Sequence, residues 1–177
     1  MKKIMFVSDL HGSVRYTEIA LEKFLLEKAD YLVLLGDLRN EYNKSNSLEV
    51  AKLLNEYKDK IIAIRGNCDT LNFSDEYDFD NMEDFKELKI DGRKIFITHG
   101  HIYNEYILPS LNKGDIFIQG HLHIPIAKKV NDFYILSPGS IAEPRKSSKN
   151  SYGILENNKY MVKDLMGGIV KEIDLEC

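Results

Sequence analysis

Short apolar runs punctuated by polar loops open the chain. Ile4–Val7, Tyr31–Leu35 and Ile61–Ile64 are each too short for a helix and show no alternation. Runs of that kind read as strands buried on both faces. Between the first two, the segment from Val14 to Lys28 sets apolar residues at 14, 20, 21, 24, 25 and 29. That spacing predicts an amphipathic helix, with Ser13 as its N-cap. Residues 38 to 46 read as a polar loop. Asn46 followed by Glu49 resembles a capping box and predicts a helix from there to about Tyr57. Strand–helix–strand–helix–strand is the pattern of parallel pairing through crossover helices.

The second half is richer in strands. Phe85–Ile90 and Arg93–Thr98 predict a hairpin around Asp91-Gly92. Asp115–Gln119, Ala127–Val130, Phe133–Leu136, Tyr152–Glu156, Tyr160–Leu165 and Ile169–Leu175 predict further strands. Asn131-Asp132 and Asn157-Asn158 mark tight turns. At most one helix is expected here, near residues 104 to 112. A mixed two-sheet core with outer helices, an α/β (α+β) class, fits this order.

Composition narrows the picture. With 177 residues a single domain spanning 1–177 is expected. At that size folding buries about two thirds of the unfolded surface, so the core needs no staples. The formal net charge of -4 argues against a broad basic face for duplex nucleic acid. "MKKIMFV" starts like a signal peptide, but the apolar run stops at Ser8-Asp9. No run approaches a membrane span. Two cysteines make no disulfide framework, so a reduced, cytoplasmic setting is expected.

The chemistry sits where strands end. The first ends in Ser8-Asp9-Leu10-His11-Gly12, the second in Gly36-Asp37, the third in Gly66-Asn67-Cys68-Asp69. The strand from Arg93 ends in Thr98-His99-Gly100-His101, and the strand from Asp115 in Gly120-His121-Leu122-His123. All five histidines of the chain lie in these loops. In open α/β sheets, sites gather at carboxyl ends of strands, so the loops are expected to meet on one sheet edge. Neutral imidazole with carboxylate and amide oxygen suits divalent transition metals. Taken singly, Asp9 could cap the next helix, Asp37 and Asn67 could be turn residues, and His-x-His could be structural. Those bland readings do not explain why all of them stand at successive strand ends.

In order and spacing, Asp9-Leu10-His11, Gly36-Asp37, Gly66-Asn67-Cys68-Asp69, His99 and Gly120-His121-Leu122-His123 resemble the signature of the calcineurin-like metallophosphoesterase superfamily. Ser137-Pro138-Gly139-Ser140 resembles the Asn-Pro-Gly-Ser turn of its small members, and the chain length resembles the compact prokaryotic YfcE-type phosphodiesterase branch. The resemblance implies a four-layer sandwich: two facing mixed sheets flanked by helices. It implies two divalent cations, the first held by Asp9, His11, Asp37 and His123. The second is held by Asp37, Asn67, His99 and His121, with Asp37 bridging. Manganese is the expected metal, with nickel, iron and zinc as alternatives. Asp9, His11, Asp37, Asn67 and His99 are expected at the reacting centre, where a bridging hydroxide would attack phosphorus. Cys68, Asp69, His101 and Arg145 are assigned to the substrate or the surrounding shell.

Cys68 departs from the pattern. Many members carry a histidine there, paired with the following acid, that assists the leaving group. The compact branch commonly lacks it, which favours diesters over monoesters. The reading is a metal-dependent phosphodiesterase for a small or nucleotide-like diester, with neither duplex nucleic acid nor membrane as partner. A homo-oligomer stays open. Competing readings are a scaffold like the retromer subunit of the same fold, a broad phosphomonoesterase, or a nuclease. The scaffold could carry eroded ligands, yet every ligand position here is filled.

Overall fold

A computed structural model describes residues 2–40, 44–69, 76–79, 83–90 and 92–176. β1 (Ile4–Val7), β2 (Tyr31–Leu34) and β3 (Ile61–Ala63) are parallel neighbours, with Ile4 opposite Tyr31 and Leu32 opposite Ile61. α1 (Val14–Glu27) and α2 (Lys44–Asn55) join them. The hairpin of β4 (Phe85–Ile90) and β5 (Arg93–Thr98) follows, then β6 (Ile116–Gln119), β7 (Pro125–Val130) and β8 (Phe133–Pro138). β9 (Ser151–Glu156), β10 (Lys159–Asp164) and β11 (Ile169–Asp174) end the chain. The strands form one sheet in the order β11-β10-β9-β1-β2-β3 and another in the order β4-β5-β6-β8-β7. Both are mixed: β5, β6 and β8 are parallel neighbours, whereas β9 meets β1 antiparallel.

The unbroken apolar runs are explained by burial on both faces. Met5 and Val7 of β1 join Leu32 and Leu34 of β2 under the helices, against Ala20, Leu21, Phe24, Val50 and Leu54. Their alternates, Ile4, Phe6 and Val33, face the second sheet and meet Ile95, Ile97, Ile116, Ile118 and Leu136. Each fully buried side chain of this kind contributes about 1.5–3 kcal/mol. Ser13 caps α1 as expected, its Oγ accepting from the Tyr16 N–H at 3.3 Å. The tight turns also stand, with φ of 52° at Asn131 and 51° and 56° at Asn157 and Asn158.

One expectation fails locally, and one segment left open resolves as loop. α2 starts by Lys44, so Asn46 lies inside it rather than at its start. Ser47 is the buried polar residue there, and its Oγ accepts from the Asn40 N–H at 3.2 Å. The helix near 104 to 112 is absent. The Asn104 side chain accepts from the N–H groups of Tyr106 (2.9 Å) and Ile107 (3.1 Å), closing a turn that competes with helix. Pro109 then blocks helix continuation. This irregular segment supplies Tyr103, Leu108 and Leu111, which cover Phe96, Phe117 and Ile135 on the outer face of the second sheet. The fourth layer of the sandwich is therefore a loop there, while both helices lie on the first sheet. Asp91, residues 41–43 of the polar loop and Cys177 fall outside the described residues.

Candidate metal centre

The strand-end loops meet at the end of two sheets, rather than on one edge of a single sheet. Loops after β1 and β2 are laced by backbone bonds. Asp9 N–H donates to the Gly36 carbonyl (3.2 Å), His11 N–H to that of Asp37 (2.8 Å), and Gly12 N–H to that of Leu38 (2.9 Å). The Asp69 carboxylate ties in the third loop, accepting from the N–H groups of Leu38 (3.0 Å), Arg39 (3.1 Å) and Gly66 (2.9 Å). Burial pushes Asp69 up to about 6; the Gly66 N–H opposes that shift and the Asp37 charge adds to it. From the other side, His121 N–H donates to Asp9 Oδ2 (3.2 Å), and the Ser140 hydroxyl donates to the Asp9 carbonyl (3.1 Å).

The backbone at these loops is unusual. φ is 59° at Asp9, 47° at His11, 52° at Asp37, 62° at His121 and 57° at His123. Non-glycine residues seldom adopt the left-handed region, and each such residue costs of order 1 kcal/mol. Strain that recurs at the expected ligands is the mark of backbone bent to aim side chains inward.

What converges is a set of nitrogen and oxygen atoms. His123 Nδ1–H donates to the Glu143 carbonyl (2.5 Å), which leaves its Nε2 lone pair 3.2 Å from Asp9 Oδ1 and 3.4 Å from His11 Nε2. His99 is built alike: Nδ1–H donates to the Leu35 carbonyl (2.7 Å), and Nε2 lies 3.3 Å from Asp37 Oδ2 and 3.1 Å from Asn67 Oδ1. Fixing one ring nitrogen as a donor presents the other as a ligand. Asp37 Oδ2 also lies 3.9 Å from His11 Nε2. Ligand atoms of Asp9, His11 and His123 lie within 4.8 Å of one another, as do those of Asp37, His99 and His121.

Electrostatics favours a cation at both places. Burial works against a charged His99 ring, yet Asp37, Asp9 and the Leu35 carbonyl together raise its pKa; Asp9 and the Glu143 carbonyl together do so for His123 against the same burial. Burial also opposes ionisation of Asp37, but His99 and the Cys68 N–H hold its carboxyl well below the usual range. His121 is lowered by burial and then by the His99 charge. Asp9 Oδ1 is buried and has no hydrogen-bond partner among the described residues. Fully buried carboxylate oxygens are normally paired or bound to metal. Imidazole, carboxylate and amide donors at this spacing fit divalent cations.

The remaining expected residues take different places. Cys68 is a half-buried thiol whose sulfur lies within 4.8 Å of ligand atoms of His11 and Asp37. Asp69 is buried and occupied by backbone N–H groups. His101 stands with its ring 5.5 Å from that of His99, its pKa lowered by burial and then by the His99 charge. Arg145 is exposed, and its N–H donates to the His123 carbonyl (3.1 Å). Ser140, the last residue of the Ser-Pro-Gly-Ser turn, reaches Asp9, a role the sequence did not assign to it. Glu143 fixes the His123 ring and escaped the sequence reading, since it acts through a contact that exists only after folding.

Known proteins resemble this chain in sequence and in fold. Residues 1–159 match the calcineurin-like phosphoesterase superfamily domain. Phosphodiesterase YfcE of Escherichia coli (strain K12) is 37% identical over 165 residues, 89% of each chain. Phosphodiesterase MJ0936 of Methanocaldococcus jannaschii is 30% identical over 145 residues, 77% of this chain and 82% of that one. A solved structure of the Escherichia coli phosphoesterase YfcE superposes with a TM-score of 0.93 at 33% identity, covering 98% of this chain and 100% of that one.

Proposed function

The chain belongs to the calcineurin-like phosphoesterase superfamily, and from that premise we propose that it hydrolyses phosphodiester bonds of a small or nucleotide-like substrate at a dinuclear metal site. Asp9, His11, Asp37 and His123 would hold the first cation; Asp37, Asn67, His99 and His121 would hold the second. The observation that carries this reading is Asp37 Oδ2, which lies within 3.3 Å of His99 Nε2 and 3.9 Å of His11 Nε2. One carboxylate thus reaches both donor groups. Manganese is the metal we expect, with nickel, iron or zinc as alternatives.

Held by these residues, two divalent cations would supply Lewis-acid chemistry: an acidified water as nucleophile, such as a bridging hydroxide, and positive charge to offset that building on the phosphoryl oxygens. The chain's own part is orientation. The carbonyls of Leu35 and Glu143 hold the rings of His99 and His123 in one tautomer. The Cys68 N–H donates to Asp37 Oδ1 (2.8 Å), which leaves Oδ2 facing the two rings. Asp69 keeps the loops carrying Asp37 and Asn67 in fixed register.

The thiol of Cys68 stands where an imidazole would protonate a leaving group. General-acid help is worth about 10²–10⁴-fold, and only when the leaving group needs a proton. The reading is tested on the metal-loaded protein with an activated aryl diester and its matched monoester. Wild type should prefer the diester, and Cys68→Ala should keep bound metal and most diesterase activity. Cys68→His should raise the monoester-to-diester ratio of kcat/KM by roughly 10², the low end, because Asp69 is engaged by the backbone and cannot orient a new ring. Metal loss in Cys68→Ala would make the thiol a ligand. An unchanged ratio in Cys68→His would remove residue 68 from the leaving-group side. No turnover of any ester with any of the four metals would end the phosphodiesterase reading.

Arg145 carries a guanidinium suited to a phosphate, and its charge bears on His123. We expect Arg145→Ala to raise KM about tenfold with kcat little changed, the signature of lost uniform binding. Steady-state kinetics on the diester check this, and an unchanged KM would take Arg145 out of the site.

A further inference from the structure

Three carboxylate oxygens lie 3.9 Å from His11 Nε2: Asp9 Oδ1, Asp37 Oδ2 and Glu143 Oε2. The first two belong to the metal site already described. The third comes from the turn after β8, and its side chain is 59% exposed. The backbone of Glu143 is nevertheless pinned at both ends. Its N–H donates to Ser140 Oγ (2.8 Å), and its carbonyl accepts from His123 Nδ1 (2.5 Å). Pro144 follows and restricts Glu143 toward extended backbone.

Glu143 therefore orients one member of the cluster, His123, through its backbone, and sets its carboxylate beside another, His11. Arg145 and Lys146 follow closely in sequence, yet among the described residues no lysine or arginine forms an ion pair with it. Beside the His11 ring at 3.9 Å, and with no cationic side chain paired to it among the described residues, the carboxylate charge would be offset by a cation held at His11.

We propose that Glu143 is a fifth, displaceable ligand of the first cation, an inference that rests on the two-cation reading. The carboxylate reaches the cluster from the solvent side. It sits on a long, exposed side chain, so an incoming phosphoryl oxygen can take its place at little cost. Glu143 would thus close the first cation's open face in the resting protein and yield it to substrate.

The test uses Mn(II) on the full chain, comparing wild type with Glu143→Gln and with the control Glu18→Gln on the exposed face of α1. Isothermal titration reads affinity, and water-proton relaxivity reads how many exchangeable waters the bound ion carries. Glu143→Gln should weaken one of two sites about tenfold and raise relaxivity by the increment of one added water; Glu18→Gln should change neither. Saturating inorganic phosphate should bring wild type and Glu143→Gln to one relaxivity value. Unchanged affinity and relaxivity overturn the proposal. So does weakened affinity without a relaxivity gain, which would mean that the charge acts only at a distance. A relaxivity difference that persists in phosphate overturns displacement. Wild type binding fewer than two ions per chain overturns the two-cation reading itself, a result separable from all of these.

Discussion

Asp37→Asn should abolish diester turnover, lowering it by at least about 10³-fold, and should cost the protein bound metal. Asparagine keeps the shape of aspartate, and its oxygen can still accept the Cys68 N–H. What it loses is the charge that faces His99 Nε2 and His11 Nε2 together. A residue serving only one cation would leave the other in place when changed; one serving both should lower total metal disproportionately. The control is Glu87→Gln, an exposed position on β4 paired with Lys94 at 3.5 Å, which should alter neither quantity. Elemental analysis beside turnover decides the matter. Full occupancy and full activity in Asp37→Asn would sink the shared-carboxylate model.

Gly66→Ala should press a methyl group directly onto Asp37 and damage the site. A Cβ there would press on Asp37 Oδ1 and on the Asp37 backbone nitrogen, with Asp37 Cγ only 2.9 Å away. Backbone cannot step aside like the tip of a flexible side chain. The expected cost is about 3 kcal/mol, or roughly 10 °C in Tm for a domain of this size, together with lost metal as Asp37 is displaced. Gly92→Ala makes the useful contrast. It has φ of 83° and nothing within 4 Å of the new methyl, so only the backbone conformation opposes it. About 1 kcal/mol is expected there, with metal content unchanged. Thermal melts of both variants, with metal analysis, test the pair. Equal shifts would mean that the contact with Asp37 is unimportant.

The strands were legible because continuous apolar runs follow from burial on both faces, and β1 and β2 are buried so. The donor residues were legible because each stands directly after a strand. Sheet order was not. β1 pairs with β9, placing Phe6 opposite Gly153, and no local pattern encodes so distant a partner. The start of α2 was misread because Asn46 and Glu49 happen to have capping-box spacing, while Ser47 latches the preceding loop. At 104–112, where at most one helix was expected, side-chain bonding by Asn104 decides for loop, and hydrophobic spacing alone does not show it. Glu143 left no trace, since its place depends on Ser140 and His123.

The position of β1 between β2 and β9 has a consequence for the order of events during synthesis. Every residue we assign to the cations, from Asp9 to Glu143, leaves the ribosome before Ser151 begins β9. At about 5–20 residues per second, β1 waits seconds with one side unpaired. A slack chain offering histidines and carboxylates binds divalent ions in the inherent Irving–Williams order, copper foremost. The finished site instead imposes geometry: left-handed backbone at five donors and rings locked by carbonyls. Geometric discrimination between metals is then a property of the completed fold.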